Sequence, residues 1–190
     1  LVFSEFHKKE LVEAGVAASD IIVTGPIVFD DVFRYKRTSA RSKPTSIAGV
    51  KVLIATSSFV EFQMLQKEVY YQRIEAIFKS LWEQGIREVI IKLHPREKQD
   101  ADYLNILNKF NFSARVIKNC TRKEFYRLIA ESDVFIHFGS TAGFEALLLD
   151  TRVITINLVD LKESLFKQEN CRLMFDDDAG QVISYHDSLK

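Results

Sequence analysis

The chain has 190 residues, 47% of them hydrophobic and 27% charged, which suits one sizeable core or one core with an appendage. Its 26 basic and 26 acidic residues cancel, so bulk charge draws it neither to nucleic acid nor to an acidic membrane. Cys120 and Cys171 form no metal or redox spacing and fit a reducing cytoplasm, and no apolar run reaches the roughly 18 residues of a membrane span.

The first residues, LVFSEF, lack Met, already read as a strand and carry no basic-then-apolar leader, so the chain reads as a piece of something longer. Residues 1–36 are expected to form a strand, a short helix closed by Gly15, a strand at 21–24 and a turn at Gly25-Pro26. They fit the trailing segment of a preceding domain with its crossover. The polar stretch RTSARSKPTSIAG, 37–49, reads as a linker. From residue 50 onward apolar strands alternate with helices. Strands are expected at 50–56, 88–93, 114–119, 133–138 and 152–158. Helices are expected at 60–84 (Phe62, Leu65, Val69, Ile74, Ile77, Phe78, Leu81 and Trp82 at helical spacing), 98–110, 121–132 and 141–150. Thr121 with Glu124 three residues on is a capping box. Such βαβ units make an α/β fold with a Rossmann-like, doubly wound parallel sheet. With strands ordered 3-2-1-4-5, a ligand sits at the carboxyl ends of strands 1 and 4.

Three loops leave those carboxyl ends. Gly139-Ser140-Thr141 follows strand 4: the glycine allows a tight turn, and a hydroxyl either caps the helix or, with free N–H groups and the helix dipole, favours an anion. Glu145 lies in that apolar helix and misses the capping-box position from both Ser140 and Thr141. Burying it unpaired is costly, so it needs a basic side chain or ligand hydroxyls such as a ribose diol, unless it is simply exposed. In KLHPRE, Pro95 breaks the strand, His94 can donate to a phosphate or base edge, and Arg96 can grip a phosphate. In TSSF, 56–59, Thr56, Ser57 and Ser58 offer hydroxyls toward the strand 4 loop. His137 reads as a core histidine close enough to Gly139 to keep a site role open. The acidic FDDDAG, 175–180, is a fragment of a calcium-loop pattern and reads as a solvated turn. No G-x-x-x-x-G-K-[ST], G-x-G-x-x-G or G-x-S-x-G pattern occurs, and no His/Cys/Asp/Glu set has metal spacing, so neither a cofactor nor a metal is expected.

IKLHPRE, followed by SDVFIHFGSTAGFEALLLDTRVITIN, resembles the carboxy-terminal domain of GT-B glycosyltransferases. The nearest groups are those of capsule, surface-polysaccharide and teichoic-acid synthesis. LVEAGVAASDIIVTGPIVFDDVF resembles the segment joining the two GT-B domains, although here Pro26 comes one place early in T-G-P. The resemblance implies two Rossmann-like domains with the active cleft between them. Residues 50–190 would bind a nucleotide-activated sugar or CDP-glycerol-type donor. His94 and Arg96 would contact donor phosphate or base, Ser140 and Thr141 phosphate oxygens, and Glu145 ribose hydroxyls; Gly139, Ser57 and Ser58 complete the set. The acceptor site and catalytic base would belong to the chain's own N-terminal domain, so these residues alone would catalyse nothing. Polysaccharide enzymes work at the inner face of the membrane, so the full-length protein is a candidate for peripheral association, although no segment demonstrates it. UDP-N-acetylglucosamine 2-epimerases share the fold and the Glu-bearing helix and are the alternative. A second alternative is a docking module without catalysis, which would require a basic partner for Glu145 inside the fold.

Overall fold

The computed structural model describes residues 2, 4–25, 29–36, 49–158 and 182–184. The chain divides into two compact units, Leu1–Ser39 and Ala40–Lys190. In the first, a parallel bridge between Val2 and Val23 brackets α1 (Glu5–Glu13) and a 3-10 turn at Ala18–Asp20, a βαβ unit in miniature. Ser4 caps α1 by accepting from the His7 amide. A second helix, α2, spans Asp30–Lys36. Pro26 and nearly all of the expected linker lie outside the described residues.

The second unit is a sheet of six parallel strands in the order β3-β2-β1-β4-β5-β6. The strands are β1 (Val52–Ala55), β2 (Glu88–Lys92), β3 (Ser113–Ile117), β4 (Val134–His137), β5 (Arg152–Asn157) and β6 (Val182–Ser184). The expected order of the first five is what forms. The short β6, paired with β5 at Thr155↔Val182, adds a strand that was not expected. The helices are α3 (Lys67–Glu83), α4 (Ala101–Lys109), α5 (Arg122–Glu131) and α6 (Ala142–Leu148). Right-handed crossovers put α3 and α4 on one face and α5 and α6 on the other. In agreement, α3 packs on α4 and α5 on α6.

Central β1, VLIA, is buried along its whole length, which is why it reads as a continuous apolar run. Tyr70, Ile74, Ile77 and Phe78 form the buried stripe of α3 and close over Val52, Ile54, Ile91 and Leu93. On the other face Ala142, Gly143 and Ala146 let α6 approach the sheet closely. Thr121 and Glu124 make the expected capping box at α5.

One helix starts later than its periodicity suggests. Residues 57–65 run through turns in which the Met64 and Leu65 amides both donate to the Phe59 carbonyl, and Gln63 is left-handed at φ 57°. The helix therefore begins only at Lys67, and Phe62, counted in the apolar stripe, is half exposed.

Phe135 on β4 is fully buried, edge-on to Phe125 and stacked on His137. Phe135→Ala is expected to cost about 3–5 kcal/mol, read as a lowered urea midpoint.

Candidate functional site

Register makes the three central strands end level. Ala55 pairs with Lys92 on one side and with His137 on the other. The loops after β1, β2 and β4 therefore emerge side by side, and α5 and α6 start at this same edge.

The first two loops are joined by hydrogen bonds. The Thr56 amide donates to the Lys92 carbonyl (3.0 Å). Ser58 Oγ lies 2.8 Å from His94 Nδ1, and the Arg96 amide donates to the same nitrogen (3.2 Å). The Glu97 amide closes the His94–Glu97 turn on the His94 carbonyl (2.9 Å). His94 Nε2 has no partner among the described residues and is left open to solvent. Burial, then the charges of Lys92 and Arg96, lower the His94 pKa, so the ring is neutral at pH 7. The Arg96 guanidinium stacks on Phe62, 4.6 Å from the ring centroid, with its N–H edge unpaired among the described residues. Thr56 and Ser58 thus face the β2 loop, not the β4 loop as expected: their hydroxyls are within reach of Glu97 and His94. The Ser57 side chain has no partner among the described residues.

The β4 loop is more closed than expected. Gly139 takes φ 80°, a left-handed turn suited to glycine. The following amides are largely used within the protein rather than free for an anion. Ser140 donates to His137 Nδ1 (3.0 Å), Ala142 to Ser140 Oγ (3.2 Å), Gly143 to the Ser140 carbonyl and Phe144 to the Thr141 carbonyl. Ser140 is therefore the capping hydroxyl, and Thr141 makes no side-chain cap. His137 is wholly buried, and Thr155 Oγ1 lies 2.8 Å from its Nε2. A Cβ on Gly143 would come within 2.5 Å of that Nε2, so the glycine is where the helix meets the ring.

Glu145, in the first turn of α6, has a basic partner. Arg122 Nη2 sits 3.0 Å from Oε1, and the Tyr126 hydroxyl donates to the same oxygen (3.3 Å). The Arg122 Nε in turn donates to Tyr126. This is the partner that the docking-module alternative requires. The pair is not sealed: the side chains are 49% and 12% exposed, and Oε2 is unpartnered among the described residues.

Sequence reasoning therefore picked residues that do converge on one sheet edge, but it missed Glu97, Arg122 and Tyr126. Glu97 was visible as the only acid in a basic strand-ending turn, and Arg122 with Tyr126 as an i,i+4 pair opening α5. Among the described residues no His/Cys/Asp/Glu cluster could hold a metal, and no helix is long and apolar enough to cross a membrane. Cys171, His186 and FDDDAG lie outside the described residues.

The strand order and the loops at the switch point define a Rossmann-like, doubly wound α/β domain, a class in which ligands bind outside the carboxyl ends of the strands. Family comparison makes it particular: the UDP-N-acetylglucosamine 2-epimerase model matches residues 1–189, and the chain belongs to that family. Among solved structures it is similar to the S. aureus MnaA–UDP co-structure, with 13% identity over 82% of this chain and 41% of that one and a TM-score of 0.58. It is also similar to the UDP-GlcNAc 2-epimerase of Methanocaldococcus jannaschii, with 17% identity, 97% and 50% coverage and a TM-score of 0.59. The same enzyme with UDP-GlcNAc and UDP gives 18% identity, 81% and 44% coverage and a TM-score of 0.56. These likenesses support the fold, the Rossmann-like half of a GT-B arrangement. The chain spans half or less of these structures' length. No curated protein sequence matches it.

Burial lowers the pKa of His137 to about 4. Between its unfolded pKa near 6.5 and that value, the unfolded chain takes up a proton that the native ring refuses, so stability falls as the pH falls. The expected loss is about 3 kcal/mol between pH 6.5 and 4, measured by urea unfolding, and His137→Asn should flatten this part of the profile.

Proposed function

We propose that this chain is the nucleotide-binding half of a UDP-sugar enzyme, an epimerase acting on UDP-N-acetylglucosamine or a near relative. The reading rests on one observation: the family match runs over residues 1–189 and takes in every loop of the sheet-edge site. It favours the epimerase over the glycosyltransferase or glycerophosphotransferase that the HP and Ser/Thr motifs suggest.

The neutral His94 ring donates from Nε2 to a phosphate oxygen, and Arg96 brings its N–H edge to the same group. Ser140 and Thr141 hydroxyls meet the phosphates, with Gly139 letting them approach the turn. Ser57 offers a further hydroxyl, while Ser58 orients His94. Glu145 keeps Oε2 for ribose hydroxyls while Arg122 and Tyr126 hold Oε1. Residues 1–36 are the end of the partner domain and its crossover, and 37–49 the hinge. The catalytic base and the rest of the sugar site lie in that partner domain.

Calorimetric titration of the chain with UDP, CDP, CMP and GDP tests this. UDP is expected to bind, with affinity about tenfold weaker in His94→Ala and in Glu145→Gln, each having lost one charge-assisted or ligand hydrogen bond. Glu145→Gln should leave the unfolding midpoint nearly unchanged, because the half-exposed Arg122 stays solvated and the amide oxygen can still accept from it, so the lost ion pair contributes about 1 kcal/mol or less. Preferential binding of CDP would restore the glycerophosphotransferase, and failure of all four at millimolar concentration would refute the assignment.

A further inference from the structure

Glu97 is the one carboxylate among the described residues that is fully in the interior, 8% exposed. Among the described residues no cation pairs with it. Oε2 accepts from Thr56 Oγ1 and from the His94 amide (2.7 Å), and Oε1 accepts from the Tyr103 hydroxyl (2.6 Å). Tyr103 spends its proton on Glu97, so Tyr70, 2.8 Å away, must donate to Tyr103. The hydrogen-bond chain therefore runs one way, Tyr70 to Tyr103 to Glu97, and links α3, α4 and both loops. Burial raises the Glu97 pKa against the pull of these donors. A buried carboxylate held by neutral donors is a poor way to gain stability, since an apolar side chain of similar size avoids the desolvation. Its use must lie in what it holds.

What it holds is the turn behind His94. Glu97 accepts the His94 amide and returns its own amide to the His94 carbonyl. That closure brings the Arg96 amide to 3.2 Å from Nδ1. An amide can only donate, so Nδ1 must present a lone pair and the ring proton must sit on Nε2. The Ser58 hydroxyl then donates to Nδ1 as well.

We propose that Glu97 is a positioning residue that fixes the tautomer of His94: by clamping the His94–Glu97 turn it aims the Arg96 amide at Nδ1 and leaves Nε2–H facing the ligand edge. Its bearing on ligand binding rests on the reading of His94 as a nucleotide contact, but the tautomer itself does not. The Tyr70–Tyr103 arm occupies the other carboxylate oxygen, Oε1, while the Thr56 hydroxyl bridges Oε2 to the His94 amide, accepting from that amide at 2.9 Å.

Nitrogen-15 NMR of the histidine rings of the ligand-free chain, with His94→Ala to assign the signal, provides the test. Wild type should show one tautomer, protonated at Nε2. Glu97→Gln, whose single oxygen cannot accept on both sides as the carboxylate does, and Thr56→Val should each give a mixture of tautomers; Thr56→Ser should restore the single form. Tyr103→Phe, which removes a donor to the other oxygen, should lower the unfolding midpoint and leave the His94 signals as in wild type. UDP affinity should fall about tenfold in Glu97→Gln and Thr56→Val, the size of one lost hydrogen bond to phosphate. A wild-type ring protonated at Nδ1 overturns the proposal, as does a folded Glu97→Gln with wild-type ring signals. If Glu97→Gln does not fold, Thr56→Val and Thr56→Ser decide by the same signals. If wild type binds no UDP, the nucleotide assignment falls, while the ring signals still decide the role of Glu97.

Discussion

Everything at the carboxyl edge of the sheet depends on the level ending of β1, β2 and β4. Ala55 is paired on both sides at once, with Lys92 and with His137. Because β1 is buried along its length, a slip of one residue would draw the exposed Lys51 into a buried position, so the register is held by burial. The three loops then share one origin. The β1 and β2 loops are hydrogen-bonded to each other, and the β4 loop emerges beside them because the strands stop together.

From that edge two anchoring systems reach in opposite directions. On the β2 side, Glu97 ties the His94 turn down into the sheet interior through Thr56, Tyr103 and Tyr70. On the β4 side, His137 is the anchor: its ring takes the Ser140 amide on one nitrogen and Thr155 on the other, with Gly143 against its face. Each system fixes a polar turn by sinking one titratable group beneath it. The low pKa of His137 and the raised pKa of Glu97 share one cause, burial of a group whose charged form prefers water.

The strands, their order and most of the helices were legible, because a buried parallel sheet writes itself as repeated β-branched runs separated by helical spacing. The start of α3 was not. Phe62 and Leu65 fall at helical spacing by chance of composition, and nothing in the sequence marks the left-handed Gln63 that delays the helix. The site residues were legible as types but not as partners. That Glu145 needed company followed from the cost of burying it; that the company is Arg122, 23 residues earlier, depends on α5 packing against α6. Thr56 and Ser58 were assigned to the wrong neighbour for a similar reason. Flanked by two strands, β1 offers two directions, and the choice of β2 is made by the buried acceptor of Glu97, whose burial is a tertiary fact.

Four histidine and glutamate side chains at this edge sort themselves by how fully the fold has used them. His137 has hydrogen-bond partners on both ring nitrogens, and Glu97 on both oxygens; each is spent on the protein. His94 has partners on Nδ1 only, and Glu145 on Oε1 only, with the second atom of each open to solvent among the described residues. A half-used group is oriented by its first partner and still has hydrogen-bonding capacity for another, and that combination of rigidity and vacancy is what ligand recognition needs. One of the two presents an N–H donor and the other a carboxylate acceptor, flanked by Arg96 and Arg122. A donor for phosphate oxygens and an acceptor for hydroxyls are the two complementary functions a nucleotide would call on. Arg122 and Tyr126 together take one oxygen of Glu145 and leave Oε2 without a protein partner among the described residues, as the proposed ribose contact requires.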